Sequence, residues 1–135
     1  MFTIQYLEPG PHIVKISPVD VRAKLKAALN IIPVDGLLLG WDIPDPLVEI
    51  CREETTHKNV KLFRWHPLLC SDGSFITGKA WRTRNYRGVP QSGFRDLPEF
   101  TFICPNHPDA REAILSHLQS VAESGYFDGI FCHFF

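Results

Sequence analysis

The feature that most constrains the fold is a short, almost uninterrupted apolar run at residues 34–42, with the sequence VDGLLLGWD. Strands that are covered on both faces have this composition, and they belong to parallel sheets flanked by helices. A helical pattern at residues 17–32 precedes the run, with one apolar stripe formed by Val21, Leu25, Ala28, Leu29 and Ile32. The two patterns together predict the α/β class.

The rest of the chain repeats this alternation. A second helix begins at Asp45, which is placed to cap it, and a third opens at His107 and Pro108 and stops at Gly125. Residues 70–98 follow no period and are predicted to form a long loop. The predicted strands lie at residues 12–17, 34–42, 60–69, 99–106 and 127–135.

The size and charge of the chain exclude several classes of protein. Its 135 residues and 15.4 kDa fit one domain over residues 1–135. A net charge of -1 supplies no field that attracts nucleic acid, so we expect no nucleic-acid partner. No apolar run approaches the 18 or so residues of a membrane span, and no secretory leader is recognisable, so we expect a cytoplasmic protein without a membrane partner.

Two α/β architectures compete for this pattern. An open doubly wound sheet is expected to carry a glycine-rich phosphate turn, and the sequence has none. Aromatic and polar residues at strand ends favour a (β/α) TIM barrel. The predicted five strands and three to four helices amount to only part of such a barrel. An open edge near Phe131, Phe134 and Phe135 would then need a cover, either a second copy in a homodimer or a missing C-terminal half.

Two motifs near the C-terminus carry a resemblance to a known family. The turn CPNHP leads into the third helix, and DGI opens the last strand. In this, the chain resembles the bacterial glycosyl-hydrolase-like (β/α)8-barrel families, whose N-terminal half it would represent. The matching residues are Cys104, Pro105, Asn106, His107, Pro108, Arg111, Ile114, Asp128, Gly129 and Ile130.

The resemblance implies a glycoside hydrolase-like protein that acts on or binds a carbohydrate, without a cofactor. Glycoside hydrolysis uses two carboxyl groups. The candidates here are Asp42, at a strand end, and His133, which stands where the family commonly has an acidic residue and could serve only in proton transfer. We expect Asp35 and Asp128, which precede strands, to be turn residues.

The residues that we predict to bind the substrate each have an aromatic face or a hydrogen-bonding group, and such groups line ligand pockets. The arginines of the long loop alternate with aromatic residues, which predicts a lid that meets an acidic or hydroxyl-rich ligand, although a solvated loop fits the same pattern. Trp41 and Trp65 are equally well explained as core residues, and a structural hydrogen bond is an alternative role for His66. The candidates are Trp41, Arg64, Trp65, His66, Trp81, Arg82, Arg84 and Asn106.

Two further readings compete with hydrolysis. The missing acidic residue at His133 favours a non-catalytic binding or interaction protein. A metal-dependent hydrolase of the barrel type would use His66, Cys104 and His133, although no ligand spacing supports it. The four cysteines are widely spaced, which predicts buried free thiols.

Overall fold

The computed structural model describes residues 1–7, 13–70, 79–91 and 101–133. The strands are β1 (Thr3–Tyr6), β2 (Gly36–Leu39), β3 (Lys61–Pro67) and β4 (Gly129–His133). The α-helices are α1 (Pro18–Ile31), α2 (Asp45–His57) and α3 (Pro108–Glu123). None of the helices in these ranges combines the length and the hydropathy needed to cross a membrane.

The chain divides into two compact units. The first unit comprises Met1–His66 and Ser124–Phe131, and the second unit comprises Pro67–Glu123 and Cys132–Phe135. Each unit has an apolar core of its own. The two are therefore described separately.

One parallel sheet contains the four described strands, in the order β1-β2-β3-β4. β1 pairs with β2 from Thr3↔Gly36 onward, and β2 pairs with β3 from Gly36↔Lys61 onward. Strands that neighbour each other in space are consecutive in the sequence, and α1 and α2 each connect one parallel pair. This confirms the α/β class and the parallel sheet.

The first strand does not lie where the sequence predicted it. We expected it at residues 12–17, but Ile13–Lys15 forms a short 3-10 helix, and β1 lies upstream at Thr3–Tyr6; His12 lies outside the described residues. Every second side chain of β1 is half-buried, and the Tyr6 hydroxyl donates a hydrogen bond to the Val21 carbonyl at 3.1 Å. Pairing with the buried strand β2 therefore outweighs the local apolar content of the downstream segment.

The predicted strand at residues 99–106 is also wrong in its described part. Phe102 and Ile103 make only isolated antiparallel bridges, to Cys70 and Arg82; residues 99–100 lie outside the described ranges. Pro105 cannot donate a ladder hydrogen bond, and a turn follows at once, in which the His107 N–H donates to the Cys104 carbonyl. The parallel sheet consequently has four described strands where five were predicted.

The helices match the sequence more closely, apart from their caps. Ser17 is the N-cap residue of α1, but its side chain makes no capping hydrogen bond. Asp45 was predicted to cap α2, and this is wrong: Pro44 is the N-cap residue, and its carbonyl accepts the first helical hydrogen bonds. Asp45 instead lies in the first turn, where its negative charge interacts favourably with the positive end of the helix dipole. Gly125 has a φ of 74°, as expected after α3.

The core of the first unit lies between the sheet and its helices. β2 is almost fully buried, as its apolar run predicted. Arg22 of α1 contacts two glutamates of α2, the buried Glu54 at 2.8 Å and the exposed Glu53 at 2.6 Å. The fully buried side chains include Leu25, Leu37, Leu39, Cys51 and Leu62.

Candidate functional site

The predicted site residues divide between the two units. Trp41, Asp42, Arg64, Trp65 and His66 belong to the first unit. Trp81, Arg82, Arg84, Asn106 and His133 belong to the second unit.

In the first unit, the aromatic candidates pack against each other. Trp41 is only 6% exposed, and its ring meets the Trp65 ring edge to face, with centroids 4.7 Å apart. A ring buried to this degree has little surface left for a sugar, so the geometry favours packing for Trp41. Trp65 is half-buried beside it.

The polar candidates of the first unit lie just beyond β2 and along β3. Asp42 is exposed and has a φ of 53°, a left-handed conformation that aspartate tolerates better than most residues. His66 is 2% exposed, which favours a structural hydrogen bond, and Arg64 is half-buried. This group therefore offers one exposed carboxylate, Asp42.

In the second unit, two arginines are placed side by side by a short extended segment. Arg82 bridges Ile103, and Arg84 bridges Pro90, both antiparallel. Between them, the Thr83 N–H donates to the Phe102 carbonyl at 3.1 Å. Side chains alternate along an extended backbone, so Arg82 and Arg84 project to the same side.

A tight turn after this segment fixes the second arginine. The Asn85 Oδ1 accepts hydrogen bonds from the N–H groups of Arg87 and Val89, and Gly88 takes a φ of 75°. The Arg84 Nη1 then donates to the Gly88 carbonyl at 2.7 Å. This hydrogen bond restricts the Arg84 guanidinium before any ligand arrives, which lowers the entropy cost of binding.

The turn before α3 forms a second wall. The Cys104 N–H donates to the Trp81 carbonyl at 2.7 Å, which ties this turn to the segment that carries the arginines. The His107 ring lies 6.4 Å from the Trp81 ring, centroid to centroid. The Arg111 side chain donates to the Pro105 carbonyl at 3.1 Å and braces the turn from the helix side.

A cavity of about 440 Å³ lies between these walls. Small-molecule sites commonly measure about 300 to 1,000 Å³. No aspartate or glutamate is among the described residues that line it, so the charged groups of the described lining are cationic. The lining residues are Ala80, Arg82, Arg84, Cys104, Asn106, His107 and Pro108.

Two of the lining residues carry buried polar atoms that need a partner. The Arg82 Nε and the His107 Nδ1 are shielded from solvent, and neither has a hydrogen-bond partner in the part of the chain that the structure describes. A buried polar group left in this state costs about 1 to 3 kcal/mol.

The pocket brings together three predicted residues: Arg82, Arg84 and Asn106. Trp81 packs instead against the core of the second unit, around Ile103. Sequence reasoning missed His107 as a pocket residue. The signal was its place at the start of the predicted third helix, because backbone N–H groups at helix N-termini attract anions.

The described residues test the predictions of a metal site and of buried thiols. His66, Cys104 and His133 do not form a metal site, since no described group of three or more His, Cys, Asp or Glu residues could hold an ion. All four cysteines are free. The prediction of buried thiols is right for Cys51 and Cys70 and wrong for Cys132, which is exposed, while Cys104 is half-buried.

Comparison with known proteins adds no relative from which a function could be carried over. The chain matches no protein-family model, no curated protein and no solved structure. The function is therefore argued from the pocket itself.

Proposed function

We propose that this protein binds a carbohydrate that carries an acidic group, in the pocket lined by Arg82, Arg84, Asn106 and His107. The observation that carries the proposal is the pair of arginines on one side of a cavity whose described lining contains no acidic residue. Guanidinium groups form paired, charge-assisted hydrogen bonds with acidic groups, and these are among the stronger polar contacts in proteins.

The carbohydrate part of the proposal rests on the family resemblance. The pocket is compatible with it, because the exposed Asn106 offers both a donor and an acceptor for hydroxyl groups. The Arg82 Nε and the His107 Nδ1 add two polar atoms in need of partners. A hydroxyl-rich, acidic ligand would meet all of these groups.

Binding without hydrolysis is the activity that we propose for this pocket. Hydrolysis of a glycoside uses two carboxyl groups, and the described lining has none. Hydrolysis through Asp42, with His133 in proton transfer, stays a prediction from the sequence.

We propose further that the sheet belongs to a (β/α) barrel. Support comes from the strand order, since β1-β2-β3-β4 is sequential, whereas a doubly wound sheet reverses its order near the middle. The four free cysteines are consistent with a reducing compartment such as the cytoplasm.

Calorimetric titration with glucuronate and with glucose tests the proposed function. We expect glucuronate to bind at least ten times more tightly than glucose, and the Arg84→Ala variant to lose at least tenfold in glucuronate affinity. Arg84 is exposed, so this variant is expected to fold.

Arg87→Ala is the matched control. Arg87 lies three residues away, stacks on the Tyr86 ring at 5.2 Å and does not line the cavity, so its loss should leave the affinity unchanged. Equal losses in both variants would point to a diffuse charge effect and overturn the proposal. Release of new reducing ends from an acidic oligosaccharide would show that the protein hydrolyses its ligand.

A further inference from the structure

We infer that the acidic group held in this pocket is a phosphate monoester and not a carboxylate, so that the ligand class is a sugar phosphate. This inference rests on the proposed function and narrows it. It follows from the charge of the pocket, from the directions of its donors and from the position of α3.

The charge of the pocket matches a dianion better than a monoanion. Arg82 and Arg84 contribute two formal positive charges, and no described lining residue carries a negative one. A phosphate monoester carries a charge of about -1.5 to -2 at pH 7. A carboxylate carries -1, which would leave one guanidinium of the pair without a counter-charge.

The donors approach the cavity from two walls. The arginines extend from the segment that bridges Ile103 and Pro90, whereas Asn106 and His107 come from the turn before α3. A carboxylate is planar, and a single guanidinium fork satisfies both of its oxygens. A phosphate presents three acceptor oxygens in a tetrahedral arrangement and can bond to both walls at once.

The second wall is itself favourable to a dianion. It leads into the first turn of α3, a helix of 16 residues whose dipole presents its positive end there. The Arg111 guanidinium, tied to the Pro105 carbonyl, adds positive charge beside the same turn. Asp109 lies in the first turn of α3 and opposes this field, but it is not among the lining residues.

The buried polar atoms of the pocket also favour a ligand with three acceptor oxygens over one with two. The Arg82 Nε donates a hydrogen bond, and the His107 Nδ1 does so in one of the two neutral tautomers of the ring and in the protonated ring. Both atoms are shielded and unpaired within the described chain. A ligand with three acceptor oxygens offers these donors more partners than a carboxylate with two.

The test is a calorimetric titration of the full chain with four probes: glucose 6-phosphate, glucuronate, glucose and inorganic phosphate. We expect glucose 6-phosphate to bind at least ten times more tightly than glucuronate. The Arg84→Ala variant should lose at least tenfold in affinity for glucose 6-phosphate, and Arg87→Ala should lose less than twofold. Thermal unfolding of each variant checks that it is folded.

The outcomes separate this inference from the proposed function. Glucuronate binding as tightly as glucose 6-phosphate, or more tightly, would overturn the phosphate inference and leave the proposed function standing. Inorganic phosphate binding as tightly as glucose 6-phosphate would support the phosphate site and count against a sugar ligand. Binding of none of the probes, or of glucose as tightly as of the acidic sugars, would overturn both.

Discussion

The Asp128 carboxylate accepts a hydrogen bond from the Leu62 N–H at 2.8 Å, and the Asp128 N–H donates to the Leu62 carbonyl at 2.7 Å. Asp35 makes the same two-way pair with Phe2, at 2.6 Å and 2.8 Å. Each aspartate precedes a glycine and the strand that follows. The repeated Asp-Gly pattern therefore fixes where β2 and β4 begin relative to their neighbours. The sequence predicted both aspartates as turn residues, and both lie at a bend before their strand, but their pairing with a neighbouring strand was not predicted.

Asp128 should make the stability of the protein sensitive to acid. Partial burial raises the pKa of its carboxyl, but hydrogen bonds from Arg52 and from the Leu62 N–H, with the charges of Arg52 and Lys61, outweigh burial and lower that pKa below its usual value. A carboxyl with a lowered pKa stabilises the fold above its unfolded pKa of about 3.9, and that stability is lost as the pH falls through the folded pKa.

The measurement is urea unfolding of the wild type and of Asp128→Asn from pH 7 to pH 2. We expect the wild type to be more stable at pH 7, with the difference shrinking below about pH 4. The variant removes this titration and leaves every other carboxyl group in place, so those groups titrate in both proteins. A difference that stays constant across the whole range would contradict the assigned role.

The ring of Phe63 explains why a glycine follows each of these aspartates. A Cβ on Gly36 would lie 2.9 Å from the Phe63 ring and equally close to the Thr3 Cγ2, and a Cβ on Gly129 would lie 3.1 Å from the Phe63 ring. The central strand β3 thus places a large ring where both neighbouring strands have no side chain. We expect Gly36→Ala to destabilise the protein by about 1 to 3 kcal/mol in urea unfolding, because the added methyl overpacks this site.

A double variant tests the cause. Adding Phe63→Leu to Gly36→Ala removes ring atoms from the crowded site, so the pair should be more stable than the sum of the two single effects predicts. Strict additivity would mean that the methyl of Gly36→Ala does not act through Phe63.

The sequence predicted the elements that local periodicity determines and missed those that depend on distant pairing. α1 and β2 follow from their own apolar spacing. β1 was missed although TIQY alternates polar and apolar residues as a strand does, because the run is only four residues long and is completed as a strand by pairing with β2. The pocket behaves in the same way: Arg82 was identified by residue type, but its meeting with His107 depends on the bridge between Arg82 and Ile103, which no local pattern encodes.

Thiol reactivity should separate the buried cysteines from the exposed one. Burial raises the pKa of the Cys51 thiol to about 12, with the nearby charge of Glu54 adding to the effect. The thiolate is the reactive form, so Cys51 in the folded protein should resist iodoacetamide at pH 8, whereas the exposed Cys132 should react. Peptide mass spectrometry over time reads out each site, and the urea-unfolded chain is the control, in which both should be labelled. Equal rates at Cys51 and Cys132 in the folded protein would contradict the burial of Cys51.

Helix α1 offers a matched pair of substitutions that tests which face it buries. Leu25 is fully buried against the core of the first unit, whereas Ile31, at the end of the same helix, is 79% exposed. Leu25→Ala should lower the free energy of unfolding by about 2 to 5 kcal/mol, because it removes buried methyl groups and leaves a cavity. Ile31→Ala should change it by no more than about 0.5 kcal/mol. Both changes install alanine in one helix, so a difference in urea midpoint reports burial and not helix propensity, and similar losses in the two variants would mean that α1 also buries the side of Ile31.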